Sequence, residues 1–261
     1  MTSERERRLV FGEDPERYDR ARPSYPDELV DQLVAWVGTE ARVIDVGCGT
    51  GKATGLLAAQ GMRGLGVEPH PAMAAVARRN LAAFPGWRID ESGFEDWEPR
   101  RGDTPADLVT CAQAWHWLDP AVRLHKAHAL LRPGGWLAVW WNADDPDDDS
   151  PMRQAIDEIY DRLEPGMGVL PSCGNLPRPD HDDPVPDDLA FGEPVDREIH
   201  WSVTYTTAEW LDLLQTHSNH RLLPSDRLTR LLDEVAGAID DLGGSYTGRY
   251  RCVLWAAPKD H

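Results

Sequence analysis

The residues best suited to chemistry lie in the nonapeptide VIDVGCGTG, at positions 43–51. Its apolar first half is rich in β-branched residues, which is typical of a buried parallel strand. Gly47, Gly49 and Gly51 follow, and glycine lets the backbone turn sharply and approach a ligand without a Cβ atom in the way. A predicted helix over 52–60 then directs its free N–H groups into the same crevice. This strand–turn–helix unit predicts a nucleotide-type binding site.

Two carboxylates indicate which kind of nucleotide fits. Asp45 stands two residues before the first glycine of a G-x-G-x-G run, where it would repel a pyrophosphate and favour a cation. Glu68 ends a second predicted strand, 17 residues after Gly51, and a carboxylate there can accept hydrogen bonds from both ribose hydroxyls. A nucleoside that lacks phosphates and carries positive charge is S-adenosylmethionine.

Two other nucleotide sites fit the same residues less well. A Walker phosphate loop needs Ser or Thr after its lysine to bind magnesium, and here Lys52 is followed by Ala53. An NAD-dependent oxidoreductase would place a pyrophosphate beside Asp45 and lacks the G-x-G-x-x-G spacing.

His116 is the titratable residue with the clearest catalytic potential. It follows the predicted fourth strand, where this class of sheet places groups that face the substrate, and a neutral imidazole can remove a proton near pH 7. The alternative is that His116 shapes the loop between Trp115 and Trp117. Both interpretations stay open at the level of sequence.

Three groups of residues are candidate metal ligands, and we predict no metal for any of them. The run DHDD at 180–183 lies in a proline-broken acidic stretch and is predicted to be a solvated loop. His125 and His128 share a helix without further ligands nearby in sequence. Asn142 with Asp144 would suit a magnesium-dependent catechol-type site, but the lead-in of that group is absent.

Composition excludes several classes of protein. The net charge of the 261 residues is −18, which argues against a nucleic-acid partner, because phosphates need a basic surface. No apolar run is long enough for a membrane span, and the charged N-terminus lacks the apolar core of a secretory signal. Four scattered cysteines without a framework or zinc spacing favour reduced thiols, so we expect a cytoplasmic protein.

Alternating strands and helices predict a parallel, doubly wound sheet. Predicted strands cover 43–46, 64–68, 87–90, 107–112, 136–141, 197–204 and 246–256, the last with a long run typical of an edge strand. Predicted helices cover 26–37, 52–60, 71–84, 119–131, 151–163, 208–216 and 225–242. The stretch 143–198 holds 17 acids, 4 arginines and 9 of the 21 prolines, which is typical of a solvated insertion or a mobile cap.

Longer stretches carry a family resemblance. The lead-in FGEDPERYDRARPSYPDEL, the run CAQAWHWLDP, the run LRPGGWLAVW and the C-terminal QTHSNHRLLPSDRLTRLLDEV resemble a group of class I S-adenosylmethionine-dependent methyltransferases that includes trans-aconitate-methyltransferase-like enzymes. The resemblance covers most of the chain and thins between about 144 and 192. It implies a Rossmann-like seven-stranded sheet, mostly parallel with an antiparallel C-terminal strand, and S-adenosylmethionine as the cofactor.

The resemblance also implies roles for individual residues. Tyr18 and Arg22 would lie over the methionine end of the cofactor, with Arg22 paired to its carboxylate; the alternative for Arg22 is a salt bridge to Asp19 or Asp27. The rest of the implied cofactor site comprises Asp45, Gly47, Gly49 and Gly51 at the methionine moiety, Glu68 at the ribose, Pro69 and His70 beside the adenine, Gly93 and Phe94 at the adenine edge, and Ala112, Gln113 and Trp117 at the methyl channel. Gly93 replaces the group's usual side-chain acceptor for the adenine amine.

We therefore expect a methyltransferase that acts on a small molecule, with oxygen as the favoured methyl acceptor and nitrogen or carbon as the alternatives. Its expected divisions are a cofactor-binding part over 1–142, an acidic cap over 143–192 and a C-terminal part of the same domain over 193–261. The alternative from a different functional class is a protein of this fold that binds the cofactor but does not transfer its methyl group.

Overall fold

The computed structural model describes residues 11–103, 105–169 and 189–260, and it is an α/β fold built on seven strands. The strands are β1 Arg42–Val46, β2 Arg63–Glu68, β3 Trp87–Glu91, β4 Ala106–Ala112, β5 Leu131–Asp144, β6 Val195–Thr206 and β7 Ser245–Pro258. The helices are α1 Pro15–Ala21, α2 Asp27–Val37, α3 Lys52–Ala59, α4 Pro71–Asn80, α5 Pro120–Leu130, α6 Pro151–Leu163, α7 Thr207–Leu214, α8 Ser218–Arg221 and α9 Ser225–Asp241. Short 3₁₀ helices cover Phe11–Glu13 and Trp115–Trp117.

Proline starts several of these helices. Pro15, Pro71, Pro120 and Pro151 occupy the first turn of α1, α4, α5 and α6, where the N–H group that proline lacks would have no partner within the helix. The residue before each proline caps the helix with its side chain. These local signals explain why the starts of α4, α5 and α6 were readable from the sequence, whereas α1 was not predicted.

The sheet order is β3-β2-β1-β4-β5-β7-β6, and the pairs β1–β2, β1–β4, β2–β3 and β4–β5 are parallel. The C-terminal strands run antiparallel, as expected from the resemblance. Strand order reverses between β1 and β4, and ligands of such sheets bind at this switch point, outside the carboxyl ends of the strands. Asp45 pairs with Gly66 of β2 on one side and with Thr110 of β4 on the other.

All seven predicted strands are present. The structure differs from the prediction in where some elements begin or end and in the position of the last strand within the sheet. Strand β5 begins at Leu131 instead of 136, because Leu131 already pairs with Ala106 before the register shifts. Helix α4 ends at Asn80 and does not reach residue 84. The edge assignment of the last strand was wrong, since β7 lies between β5 and β6. Its apolar run reflects burial on both faces of an interior strand.

Two compact units divide the chain, and each has its own core. One unit comprises Ser24–Asn142, Asn175–Ile199 and Cys252–His261, with a core that includes Ile44, Val109 and Trp141. The other comprises Met1–Pro23, Ala143–Gly174 and His200–Arg251, with Tyr160, Trp210 and Leu231 in its core. Of the predicted cap, 151–163 forms α6, whereas 170–188, including the DHDD run, lies outside the described residues.

Three of the four cysteines are buried free thiols, Cys48, Cys111 and Cys252, whereas Cys173 lies outside the described residues. Over the described ranges, no helix is both long and apolar enough to cross a membrane.

Candidate functional site

The glycine loop after β1 is held in one conformation by left-handed backbone and by hydrogen bonds. Gly47, Gly49 and Gly51 have φ of 66°, 59° and 85°, values that side chains other than glycine rarely adopt. The N–H groups of Gly47 and Cys48 donate to the carbonyl of Val67 at 2.8 and 3.2 Å. The loop is therefore fixed against the end of β2.

Close packing around the loop also requires glycine. A Cβ atom at Gly47 would lie 2.6 Å from the Cβ of Ala114, in the loop after β4. A Cβ atom at Gly66, inside β2, would lie 2.5 Å from the Sγ of Cys48. The side chains of Ala114 and Cys48 therefore occupy the space that a Cβ atom would need at Gly47 and Gly66.

Asp45 is fully buried, and its carboxylate is occupied by two hydroxyl groups. Thr54 Oγ1 donates to Oδ2 at 2.5 Å, and Thr110 Oγ1 donates to Oδ1 at 2.8 Å. Burial raises the pKa of this carboxyl to about 6, although both hydroxyl hydrogen bonds lower it. The two threonines connect β1 to α3 and to β4, so Asp45 sets the geometry of the loop that follows it.

Glu68 stands at the end of β2 with its carboxylate fixed beside the glycine loop. Gly49 N donates to Oε2 at 3.0 Å, and His70 N donates to Oε1 at 2.9 Å. A carboxylate oxygen has two lone pairs and can accept more than one hydrogen bond. The side chain is therefore oriented before any ligand arrives.

The segment at the predicted adenine end is well ordered by its own contacts. Pro69 is exposed, and His70 caps α4 by accepting from Ala72 N through Nδ1 at 3.3 Å. The carbonyl of Gly93 accepts from Trp97 N at 2.9 Å, whereas the ring of Phe94 is buried in the core. The Phe94 ring is thus structural, and only its backbone is a candidate for cofactor contact.

Ala112 ends β4, and Gln113 and Trp117 lie in the loop that follows; all three are partly buried. Gln113 is the non-glycine residue with positive φ, 59°, in the described part of the chain. Its backbone N donates to Trp140 O at 2.9 Å, and its side chain donates to Asn142 O at 3.2 Å. Strained backbone of this kind is typical of functional sites and persists only where neighbouring contacts fix it.

His116 is partly buried in the 3₁₀ helix of that loop. The indole Nε1–H of Trp141 donates to His116 Nδ1 at 3.4 Å, and the Trp117 ring lies 4.5 Å away between centroids. Burial, together with the positive charge of Arg123, lowers the pKa of His116 to about 4. The imidazole is therefore neutral near pH 7.

Tyr18 and Arg22 belong to the other compact unit and make their described contacts there. Arg22 Nη2 donates to Thr216 O at 3.0 Å, and the guanidinium lies 5.2 Å from the Tyr18 ring centre. Neither contact is the surface salt bridge to Asp19 or Asp27 that was the alternative for Arg22.

The residues of the Ser24–Asn142 unit fit S-adenosylmethionine in their chemistry. The three loop glycines hold a sharp turn in left-handed backbone, and the fixed carboxylate of Glu68 suits ribose hydroxyls. No basic side chain is among the loop residues 45–51, so a pyrophosphate would find no counter-charge there.

Several residues of this site were not found from the sequence. Thr54 and Thr110 donate hydrogen bonds to Asp45, and Trp141 donates to His116. One available signal was Gly66, because a glycine inside a strand often marks a close backbone approach. These contacts carry no local signal, since each joins residues of two different secondary-structure elements.

Known methyltransferases are similar to this chain over most of its length. A family model for a methyltransferase domain matches residues 18–235. An uncharacterised methyltransferase of Mycobacterium tuberculosis is 34% identical over 237 residues, covering 89% of this chain and 86% of the relative. The trans-aconitate 2-methyltransferase of Variovorax paradoxus is 33% identical over 126 residues, covering 47% of this chain and 46% of the relative.

A solved structure shares the fold. A proposed type II methyltransferase from Anaeromyxobacter dehalogenans is 23% identical with a TM-score of 0.59, covering 92% of this chain and 99% of that one. The family match spans most of the sequence and includes the glycine loop, Glu68 and the His116 loop. This chain belongs to the class I S-adenosylmethionine-dependent methyltransferases.

Proposed function

We propose that this chain binds S-adenosylmethionine at the glycine loop and Glu68 and transfers the methyl group to an oxygen atom of a small-molecule acceptor. The observation that carries the cofactor assignment is the Glu68 carboxylate, fixed by the Gly49 and His70 amides directly beside the loop. S-adenosylmethionine supplies an electrophilic methyl group on a sulfonium centre. The remaining work of the protein is to hold donor and acceptor in line.

Further roles follow from the family resemblance. Asp45, Gly47, Gly49 and Gly51 would surround the methionine moiety, with Asp45 acting through the loop, because its oxygens are occupied by hydroxyls. The remaining proposed contacts are Tyr18 and Arg22 at the methionine end, Pro69, Gly93 and Phe94 at the adenine, and Ala112, Gln113 and Trp117 at the methyl group.

The net charge of the chain supports a small-molecule acceptor, and His116 supports oxygen as the methylated atom. A net charge of −18 opposes binding of nucleic acid, whose phosphates would be repelled. His116 is the sole titratable residue of the sequence from Ala112 to Leu118. A neutral imidazole in that loop suits hydrogen bonding to an acceptor oxygen.

The cofactor assignment predicts that Glu68→Ala weakens S-adenosylmethionine binding by at least tenfold. Each charge-assisted hydrogen bond to a ribose hydroxyl is worth about 1.5–3 kcal/mol. Isothermal titration of the wild type and the variant measures the effect, with circular dichroism to check that both are folded. Glu91→Ala is the matched control, because Glu91 ends the neighbouring strand but is exposed. Equal affinity of Glu68→Ala and wild type would contradict the assignment.

Turnover separates the proposed function from its alternatives. Release of S-adenosylhomocysteine is assayed with a panel of small acids, phenols, alcohols, amines and sugars, and the methylated atom is identified by mass spectrometry and NMR. Cofactor binding without turnover on any acceptor would favour a non-catalytic binding protein. Binding of NAD in preference to S-adenosylmethionine would favour an oxidoreductase.

A further inference from the structure

The two ring nitrogens of His116 have different surroundings, and this difference fixes the tautomer. An indole N–H can only donate a hydrogen bond, and Trp141 Nε1 donates to Nδ1 of His116 at 3.4 Å. Nδ1 must therefore carry a lone pair. In a neutral imidazole the proton then resides on Nε2, so Nε2–H is a donor and not a base.

Nε2 is available to a ligand. Within the described ranges no hydrogen bond occupies this atom, and the His116 side chain is partly exposed. The Trp117 ring, 4.5 Å away between centroids, limits the orientation of the imidazole. The loop therefore presents one N–H donor in a defined direction.

The charge nearby is positive. Arg123 is buried on α5, donates to Trp115 O at 2.7 Å and lies 5.3 Å from the centre of the Trp115 ring. Its charge disfavours a proton on His116, and burial does so more strongly. The same field attracts an anion and repels an ammonium group.

We infer that His116 binds an ionised carboxylate of the methyl acceptor as a hydrogen-bond donor through Nε2, and that it removes no proton. This inference rests on the proposed methyl transfer to oxygen. Of the common oxygen acceptors, a carboxylic acid is ionised near pH 7, whereas a phenol, with a pKa of about 10, is not. A carboxylate therefore needs no base.

The reaction balances without a proton acceptor. A carboxylate oxygen forms the new O–C bond as the methyl C–S bond breaks, and the electron pair of that bond stays on sulfur. The products are a neutral methyl ester and a thioether. His116 keeps its proton throughout and fixes the direction of the attacking oxygen.

The tautomer is tested by ¹⁵N NMR of the histidine-labelled full chain, with the His116 signals assigned by their loss in His116→Gln. We expect a protonated Nε2 and an unprotonated Nδ1 between pH 6 and pH 8. Trp141→Phe removes the indole donor and should give a mixture of tautomers. Trp136→Phe, on the same strand, is the matched control and should leave the signals unchanged. A proton on Nδ1 in the wild type would overturn the inference.

Two substitutions test the donor role of His116, because each places a side-chain amide nitrogen near a different ring nitrogen of the imidazole. The amide of His116→Gln reaches the place of Nε2, whereas that of His116→Asn reaches only the place of Nδ1. We expect Gln to keep KM for a carboxylate acceptor within about tenfold of wild type, and Asn to raise KM by more than tenfold with a smaller change in kcat. His125→Gln, exposed on α5, is the control. Equal loss of kcat in the Gln and Asn variants, with an acid limb of the pH–rate profile that both abolish, would show a general base.

The acceptor class is tested with paired probes: benzoate against benzyl alcohol, hexanoate against 1-hexanol, and phenylacetate against phenol. With S-adenosylhomocysteine present, we expect carboxylates to shift the His116 Nε2 signal and the neutral partners to leave it unchanged. If no carboxylate shifts that signal, the inference is overturned. If no carboxylate shifts the signal but phenols or alcohols are methylated, the inference about His116 is wrong and the proposed function stands. If the protein also fails to bind S-adenosylmethionine, both the inference and the proposed function are wrong.

Discussion

At the scale of the residue, Asp45 shows how a site is built around a charge that burial disfavours. The side chain has no exposed surface, and two threonine hydroxyls donate to it. Because the folded pKa, about 6, is above the ordinary value of about 3.9, the folded protein binds this proton more tightly than the unfolded chain does. The stability from this group is complete below about pH 4 and is lost as pH rises through 6.

Asp45→Asn should therefore remove a pH dependence. Relative to the variant, the wild type should lose about 2 kcal/mol of unfolding free energy between pH 4 and pH 7. Urea denaturation of both proteins at several pH values measures this difference, because the other acids are shared. A difference that stays constant with pH would contradict the shift.

Asp107→Asn is the control with the opposite sign. Burial raises the pKa of Asp107, but hydrogen bonds from Arg42 N and the Arg132 guanidinium outweigh it, so the pKa is lowered overall. The wild type should gain stability relative to this variant as pH rises through the acid range.

At the scale of the element, the turn between β1 and α3 depends on glycine for two separate reasons. Gly47 has left-handed φ, and its α-carbon faces Ala114 closely. Gly55, inside α3, has neither constraint, since a Cβ atom there would meet nothing within 4 Å. Two glycines eight residues apart are thus expected to respond oppositely to the same substitution.

Gly47→Ala should destabilise the fold by about 2–4 kcal/mol, the sum of left-handed strain and overpacking. Gly55→Ala should stabilise it by about 0.5–1 kcal/mol, because glycine in a helix loses more backbone entropy. Urea denaturation measures both. The double variant Gly47→Ala with Ala114→Gly should recover the packing part and keep the strain. A neutral effect of Gly47→Ala would mean that the loop relaxes freely.

At the scale of the whole molecule, the net charge of −18 opposes the compact state through self-repulsion. Raising NaCl from about 10 mM to about 150 mM shortens the screening length from about 30 Å to about 8 Å. Exposed ion pairs such as Arg162 with Glu234 weaken as well, but such pairs contribute little.

We therefore expect Tm to rise by about 2–4 °C over this range of salt, which corresponds to about 1 kcal/mol for a chain of this size. Differential scanning calorimetry measures the shift. Tetramethylammonium chloride at the same ionic strength is the control and should act alike if screening is the cause. A lower Tm in salt would mean that attractive pairs outweigh the repulsion.

The sequence by itself determined the strand–glycine–helix unit, Glu68 at the second strand end and the starts of most helices, although it predicted neither α1 nor α8. These features depend on neighbouring residues, because glycine, proline and apolar periodicity act locally on the backbone. It also predicted an α/β sheet of the correct class. It did not predict that β7 lies inside the sheet, because an apolar run does not identify the strands beside it.

Only the tertiary structure decided the protonation of two titratable residues of the site, Asp45 and His116. Thr110, 65 residues from Asp45, accommodates the buried carboxylate, and Trp141, 25 residues from His116, selects which imidazole nitrogen carries the proton. Both partners come from strands that the fold places beside or near β1. Hydrogen bonding and burial set protonation, and they depend on distances in space that spacing along the chain does not encode.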